Sequence, residues 1–220
     1  QEPGDHPIGC YFETHIEQGP ILEHEGQTIG VVTDAQGQRW YELTLTGQES
    51  HAGPTPMPVR RDALLGAAKV IQLVNEIGLK HAPLAVSTVG MINSYPNSRN
   101  VIPGRVFLTV DVRHPIEDRL TSMDEALRDG VTAIAANSGL GIDLTQIWQS
   151  PVTAFDATCV AAVREAARLY EAGQDCGEEA NMAKQLAAEA SWAAADMCVQ
   201  TFGGFGFAEE FDIERKFREA

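Results

Sequence analysis

The sequence predicts an α+β fold: a two-layer β-α-β-β-α-β unit, preceded by a short mixed segment and followed by an all-helical C-terminal stretch. Three observations point there. Strand-like runs recur at residues 38–47, 84–92, 105–113 and 142–148. Helical periodicity fills residues 59–79 and 116–136 between them. Beyond residue 156 the strand signals stop and two Ala-rich helical stretches follow, at about 157–172 and 178–199.

Each element has its own justification. Residues 11–16 alternate polar and apolar and suit a short strand, broken by Gly19 and Pro20; residues 29–33 suit a second. Trp40, Leu43 and Leu45 give residues 38–47 a strand character. Pro58 suits the first turn of a helix, and Leu64, Ala67, Ala68, Ile71 and Val74 then repeat at helical spacing. Residues 93–100 are a polar loop. Val106, Leu108, Val110 and Val112 share one face of a strand. The helix over 116–136 ends at Asn137, Ser138 and Gly139, residues suited to a C-cap. A split βαβ arrangement of this kind, with two helices on one face of an antiparallel sheet, is large enough to fold as a domain.

Composition narrows the function classes. The 220 residues carry a formal net charge of −15 and no basic run, so a nucleic-acid partner is not expected. No apolar run approaches the roughly 20 residues of a membrane span. The four cysteines, Cys10, Cys159, Cys176 and Cys198, have neither zinc-knuckle nor redox spacing, and a cytoplasmic protein with reduced thiols is expected. Gln1 is not an initiating methionine, so the sequence is expected to be a fragment or a processed product.

Four clusters carry chemistry. His15 stands in His-Ile-Glu-Gln-Gly-Pro, where a strand end could project an imidazole into a cleft as a metal ligand. His51 stands in Ser-His-Ala-Gly-Pro-Thr-Pro-Met, a rigid loop from which it could stabilise an oxyanion. Asn100 offers a neutral amide just before Val-Ile-Pro-Gly. Arg113, in Asp-Val-Arg-His, ends a strand where its fork could grip a carboxylate. Taken singly, each has an ordinary structural reading: a surface or satisfied core histidine, an incidental loop histidine, an arginine paired with Asp111 or Glu117.

In this order and spacing the motifs resemble the carbamoylase and allantoate amidohydrolase family, within the clan of metal-dependent aminoacylases and carboxypeptidases, over about residues 9–168. The resemblance implies a hydrolase of linear amide or carbamoyl C–N bonds of the N-carbamoyl-L-amino acid, ureidopropionate or allantoate type. It implies His15 as a ligand of a pair of divalent ions, zinc or manganese, and Gln18 as a substrate contact near them. It implies His51 as the catalytic histidine of a lid domain, with Asn100 and Arg113 binding a small carboxylate-bearing carbamoyl or ureido substrate. The lid also forms a homodimer interface in that family, and some lid residues act in the neighbouring subunit's site. The family's remaining ligands and its catalytic glutamate fall outside the matched stretch, and no histidine follows His114, so this chain alone is expected to be inactive.

Residues from about 170 to 220 read differently. The run Gln200-Thr-Phe-Gly203-Gly204-Phe-Gly-Phe resembles the C-terminal helical bundle of acyl-CoA dehydrogenases, in which the equivalents of Gln200, Gly203 and Gly204 approach FAD. The ordinary alternative is a glycine-rich helix terminator. Met182, Leu186, Trp192 and Met197 read as helical core. FAD binding is not expected without the rest of that fold. The layout is therefore a remnant of a metal-dependent catalytic domain (1–36), a lid or dimerisation domain (37–150), a catalytic-domain helix remnant (151–169) and the acyl-CoA dehydrogenase-like segment (170–220), an apparent chimera joined near Leu169. Besides the hydrolase, two further readings are a flavoprotein fragment and a non-catalytic dimerisation module.

Overall fold

The computed structural model describes residues 13–173. Residues 34–154 form one compact unit, and the described flanks, 13–33 and 155–173, belong to a second.

In the central unit the long elements run β2 (Gly37–Thr46), α2 (Ala63–Lys80), β4 (Val86–Tyr95), β6 (Arg105–His114), α3 (Glu117–Ser138) and β7 (Gly141–Ser150). Short strands β1 (Asp34–Ala35), β3 (Ser50–His51), β5 (Val101–Ile102) and β8 (Thr153–Ala154) are interleaved with them. The four long strands form one antiparallel sheet in the order β4-β6-β2-β7. Both long helices pack on one face, over a core that includes Tyr41, Leu43, Leu45, Leu108, Val70, Leu120 and Leu127. β6 shows why the sequence folds this way. Val106, Leu108, Val110 and Val112 are all buried, while the alternating residues face the side without helices.

Helix α2 departs from expectation in two ways. It begins at Ala63, where Asp62 caps it by accepting from the backbone N–H groups of Leu64 and Leu65 at 2.9 and 3.0 Å. Pro58 instead lies in a separate 3₁₀ turn, Met57–Val59, because Arg60 returns to extended backbone. The buried face is also rotated from the expected one. Ala63, Ala67, Val70, Val74 and Ile77 are buried, whereas Leu64, Ala68 and Ile71 are exposed. The reason is close packing. A Cβ on Gly66 would stand 2.3 Å from Leu140, and one on Gly130 of α3 would stand 2.5 Å from Leu73. Small residues therefore face inward, and the bulkier Leu64, Leu65, Ile71 and Leu79 form an apolar stripe facing out.

Helix α3 buries Leu120, Met123, Leu127, Val131 and Ala135, and ends at Gly139 with φ 62°, as its cap residues suggest. A partly buried network ties it to β2. Tyr41 donates to Asp124 at 2.7 Å, and Arg39 pairs with Glu117 at 2.8 Å and with Asp124 at 3.4 Å. Burial and the Asp124 carboxylate push the Tyr41 hydroxyl well above its ordinary range.

In the flanking unit, helix α1 (Ile21–Glu25) is capped by Glu17, whose carboxylate accepts from Ile21 and Leu22. Helix α4 (Ala157–Glu171) begins at Asp156, which accepts from Thr158 and Cys159. Residues 13–16 and 29–33, expected as strands, form none among the described residues. Alternation marks a surface, but a strand needs a partner for its N–H and C=O groups, and ladder pairing starts only at Asp34, against Ala154. The second Ala-rich stretch, at about 178–199, lies outside the described residues.

Candidate active site of the central unit

Two groups of candidate residues emerge, at opposite ends of the sheet. The first is built on a two-strand ribbon. Ser50 pairs with Ile102 and His51 with Val101, and the Ala52 N–H continues the ladder by donating to the Asn100 carbonyl at 2.7 Å. His51 and Asn100 therefore occupy neighbouring rungs. The Gly53 N–H donates to Nδ1 of His51 at 3.0 Å. An imidazole that accepts at Nδ1 carries its proton, when neutral, on Nε2, so a hydrogen-bond donor is directed away from the loop. The Asn100 Oδ1 accepts from Ser98 at 3.0 Å, which leaves its NH₂ as the outward donor.

Arg60 holds this loop and was not singled out from sequence. Its Nη2 donates to the carbonyls of Ala52 at 2.8 Å and Thr55 at 2.9 Å, and its Nε to Thr55 at 3.1 Å. Thr55 in turn donates from its hydroxyl to the His51 carbonyl at 2.6 Å. The available signal was an arginine just after a loop of three prolines, a segment with several carbonyls and few partners.

The second group is centred on Arg113, near the far end of β6. Its Nε and Nη2 grip Asp111, the closest contact being 2.6 Å, and this pairing raises the guanidinium pKa. That is the Asp111 pairing anticipated as its ordinary reading. The bonds occupy one edge of the fork and leave the Nη1 edge for another carboxylate. Gln38 stands in register beside Arg113, and Trp40 beside Asp111. Behind Arg113, His114 is buried and its Nδ1 accepts from the Ile116 N–H at 2.9 Å.

The structure places His51 and Asn100 on one ribbon, at neighbouring rungs, and sets Arg113 apart from both. The ribbon adjoins the Arg105 end of the ten-residue β6. At about 3.3 Å per residue, Arg105 and Arg113 are roughly 26 Å apart.

His15 belongs to the flanking unit, where its Nδ1 lies 2.6 Å from Glu13, with both side chains well exposed. Gln18 has φ 53°, a left-handed backbone unusual for a side-chain-bearing residue. Among the described residues no group of three or more His, Cys, Asp or Glu could hold a metal ion, so these residues do not by themselves fit a two-ion centre. Gln200, Gly203 and Gly204 lie outside the described residues.

The peptidase dimerisation domain family matches residues 33–138, and the C-terminal domain of acyl-CoA dehydrogenases matches residues 155–220. An N-carbamoyl-L-amino-acid amidohydrolase of Rhizobium meliloti is 38% identical over 226 residues, spanning 100% of this chain and 53% of its own length. That alignment runs through both matched regions. An allantoate amidohydrolase of Escherichia coli (strain K12) is 38% identical over 64% of this chain and 34% of its own length. A crystal structure of a hydantoinase/carbamoylase family amidase from Burkholderia multivorans is 68% identical, with TM-score 0.70, over 71% of this chain and 38% of that one. The chain thus spans about half the length, or less, of the curated relatives it matches. It is a homologue of the N-carbamoyl-L-amino-acid and allantoate amidohydrolases, and it carries the peptidase dimerisation domain within residues 33–138.

Proposed function

We propose that this chain serves a metal-dependent hydrolase of carbamoyl or ureido C–N bonds in small carboxylates, and that its central unit acts as the lid and homodimer interface. The carrying observation is the separation of His51 and Asn100 from Arg113 along β6. No single small substrate spans about 26 Å. Each lid therefore divides its groups between two sites of a dimer. Each site takes Arg113 from one subunit and His51 with Asn100 from the other.

The chemistry suits these positions. Arg113 binds the substrate carboxylate through the fork edge that Asp111 leaves open. Asn100 orients the carbamoyl group with its NH₂. His51, held with its donor on Nε2, stabilises the oxyanion as the carbonyl carbon becomes tetrahedral. His15 is proposed as one ligand of a zinc or manganese pair and Gln18 as a substrate contact beside it. The remaining metal ligands lie beyond the described residues, and the isolated chain is expected to show no turnover.

The dimer reading rests on two exposed features: the apolar stripe of α2 and the edge strand β4, with Val86 and Tyr95 open to solvent. No described helix is long and apolar enough to cross a membrane, and a cytoplasmic location is proposed. The match over residues 155–220 supports reading the C-terminal segment as acyl-CoA dehydrogenase-like. A join near Leu169 and the lack of FAD binding are proposed alongside that reading.

Light scattering on the purified chain, with titration calorimetry of N-carbamoyl-L-amino acids, tests the proposal. A dimer is expected that becomes monomeric in the Leu65→Glu/Leu79→Glu variant, with ligand binding weakened about 10- to 100-fold in Arg113→Gln. A monomer that binds no carbamoyl acid sinks the reading. Turnover by the isolated chain overturns its expected inactivity.

A further inference from the structure

We infer that Trp40 and Trp148 form a side-chain subsite beside Arg113, which selects N-carbamoyl amino acids bearing a large apolar, above all aromatic, side chain. The inference rests on the reading of Arg113 as the carboxylate anchor.

The rungs of the sheet place the parts. On the face without helices, one rung carries Val86, Arg113, Gln38 and Ser150, and the next carries Thr88, Asp111, Trp40 and Trp148. Trp40 is thus the diagonal neighbour of Arg113, at a spacing of about 7–8 Å that aromatic side chains readily bridge. The two indoles pack against each other, tilted by 42° with centroids 4.7 Å apart, and they remain 40% and 42% exposed. Farther along β2 and β7 the same face carries Glu42, Thr44, Asp143 and Thr145. Toward the Arg105 end the same face also carries Phe107 and Tyr95, and Trp40 and Trp148 are the aromatic pair beside Arg113.

The chemistry of the ligand follows. In an α-carbamoyl amino acid the carboxylate and the side chain share one carbon. A carboxylate held on Arg113 sets the side chain toward the adjacent rung, against two indole faces. Such a surface rewards an aromatic or large aliphatic group. It gives nothing to ureidopropionate, which has no α-substituent, and it disfavours allantoate, whose second ureido group would be desolvated there.

Calorimetry with N-carbamoyl-L-phenylalanine and N-carbamoylglycine tests the inference. The phenylalanine derivative is expected to bind at least about tenfold more tightly, in line with burial of one aromatic side chain. That ratio falls toward one in Trp40→Ala and in Trp148→Ala, and Trp40→Phe retains it. Thermal melts show whether each variant remains folded. Equal Arg113-dependent affinity for the two ligands overturns the subsite and leaves the anchor standing, as does a preference that survives both alanine variants. Binding of neither ligand removes the anchor and the subsite together.

Discussion

The two ends of β6 hold their candidate groups by different physics. At the Arg105 end, His51 and Asn100 ride on a two-rung ribbon fixed by backbone bonds and by the Arg60 fork into the Ala52 and Thr55 carbonyls. At the other end, Arg113 stands on a ten-residue strand in the middle of the sheet and is aimed by one charged partner, Asp111. The first end depends on loop geometry and the second on charge. A perturbation of one should therefore leave the other largely intact, unless it strikes the core they share.

The largest effect should come from that shared core. Leu108 lies fully buried between the two ends. Leu108→Ala is expected to cost about 2–5 kcal/mol and to lower the midpoint of chemical denaturation, with both ends lost in one transition. Separate transitions would show that the ends do not share a cooperative unit. Next comes Arg113→Gln, which removes a bidentate, charge-assisted contact. Carboxylate affinity should fall about 10- to 100-fold with little change in melting temperature. Arg113→Lys should recover only part of it, because an ammonium is not a planar fork.

Arg60→Ala acts at the opposite end and should be milder. It strips three hydrogen bonds from two carbonyls, a loss of about 1–2 kcal/mol softened by solvent access to the loop. Its signature is local. Nitrogen NMR of His51 should report the Nε2–H tautomer in the parent chain and a mixture of tautomers in the variant, with Arg113-dependent binding unchanged. An unaltered tautomer in Arg60→Ala would show that the ribbon alone fixes the ring.

Much of this was legible in the sequence. The valine and leucine alternation of β6 and the Asn-Ser-Gly end of α3 predict their elements almost to the residue. His51, Asn100 and Arg113 were identifiable as residue types in rigid or strand-end contexts. Other features were not legible, each for a physical reason. The inward face of α2 is made of small residues chosen for close approach, so a reading weighted by bulk turns the helix outward. The strands expected at 11–16 and 29–33 find no ladder partner among the described residues, and pairing is a property of two segments. Arg60 acts on carbonyls, which no side-chain pattern announces. The separation of about 26 Å between the two groups is a matter of strand length and register, and neither is written in any one motif.

The smallest effect is a pH dependence that should reach the Arg113 end first. His81, at the C-terminal end of α2, stands edge-on to His114 with ring centroids 6.5 Å apart, and its Nε2 is buried without a hydrogen-bond partner. Burial, with Lys80, Arg119 and His114 nearby, holds its pKa below the ordinary 6.5. Above that pH the ring is neutral both folded and unfolded, and it contributes nothing to pH dependence. As pH falls through 6.5 the unfolded chain takes up a proton that the folded chain resists, so stability declines until the lowered folded value is passed. Glu117 titrates in a separate window. The Val152 N–H and Arg39 lower its carboxyl pKa below 4.5, so its contribution is present above 4.5 and is lost as pH falls through the lowered value. Melts from pH 8 down to about pH 2 should thus show two limbs. His81→Gln should flatten the upper limb and Glu117→Gln the lower. Across the upper limb, the protection factor of the Ile116 amide, whose N–H is held by His114, should fall before that of Ala52, whose N–H is held by Asn100. A simultaneous fall would mean that the two ends, though held by different forces, open as one.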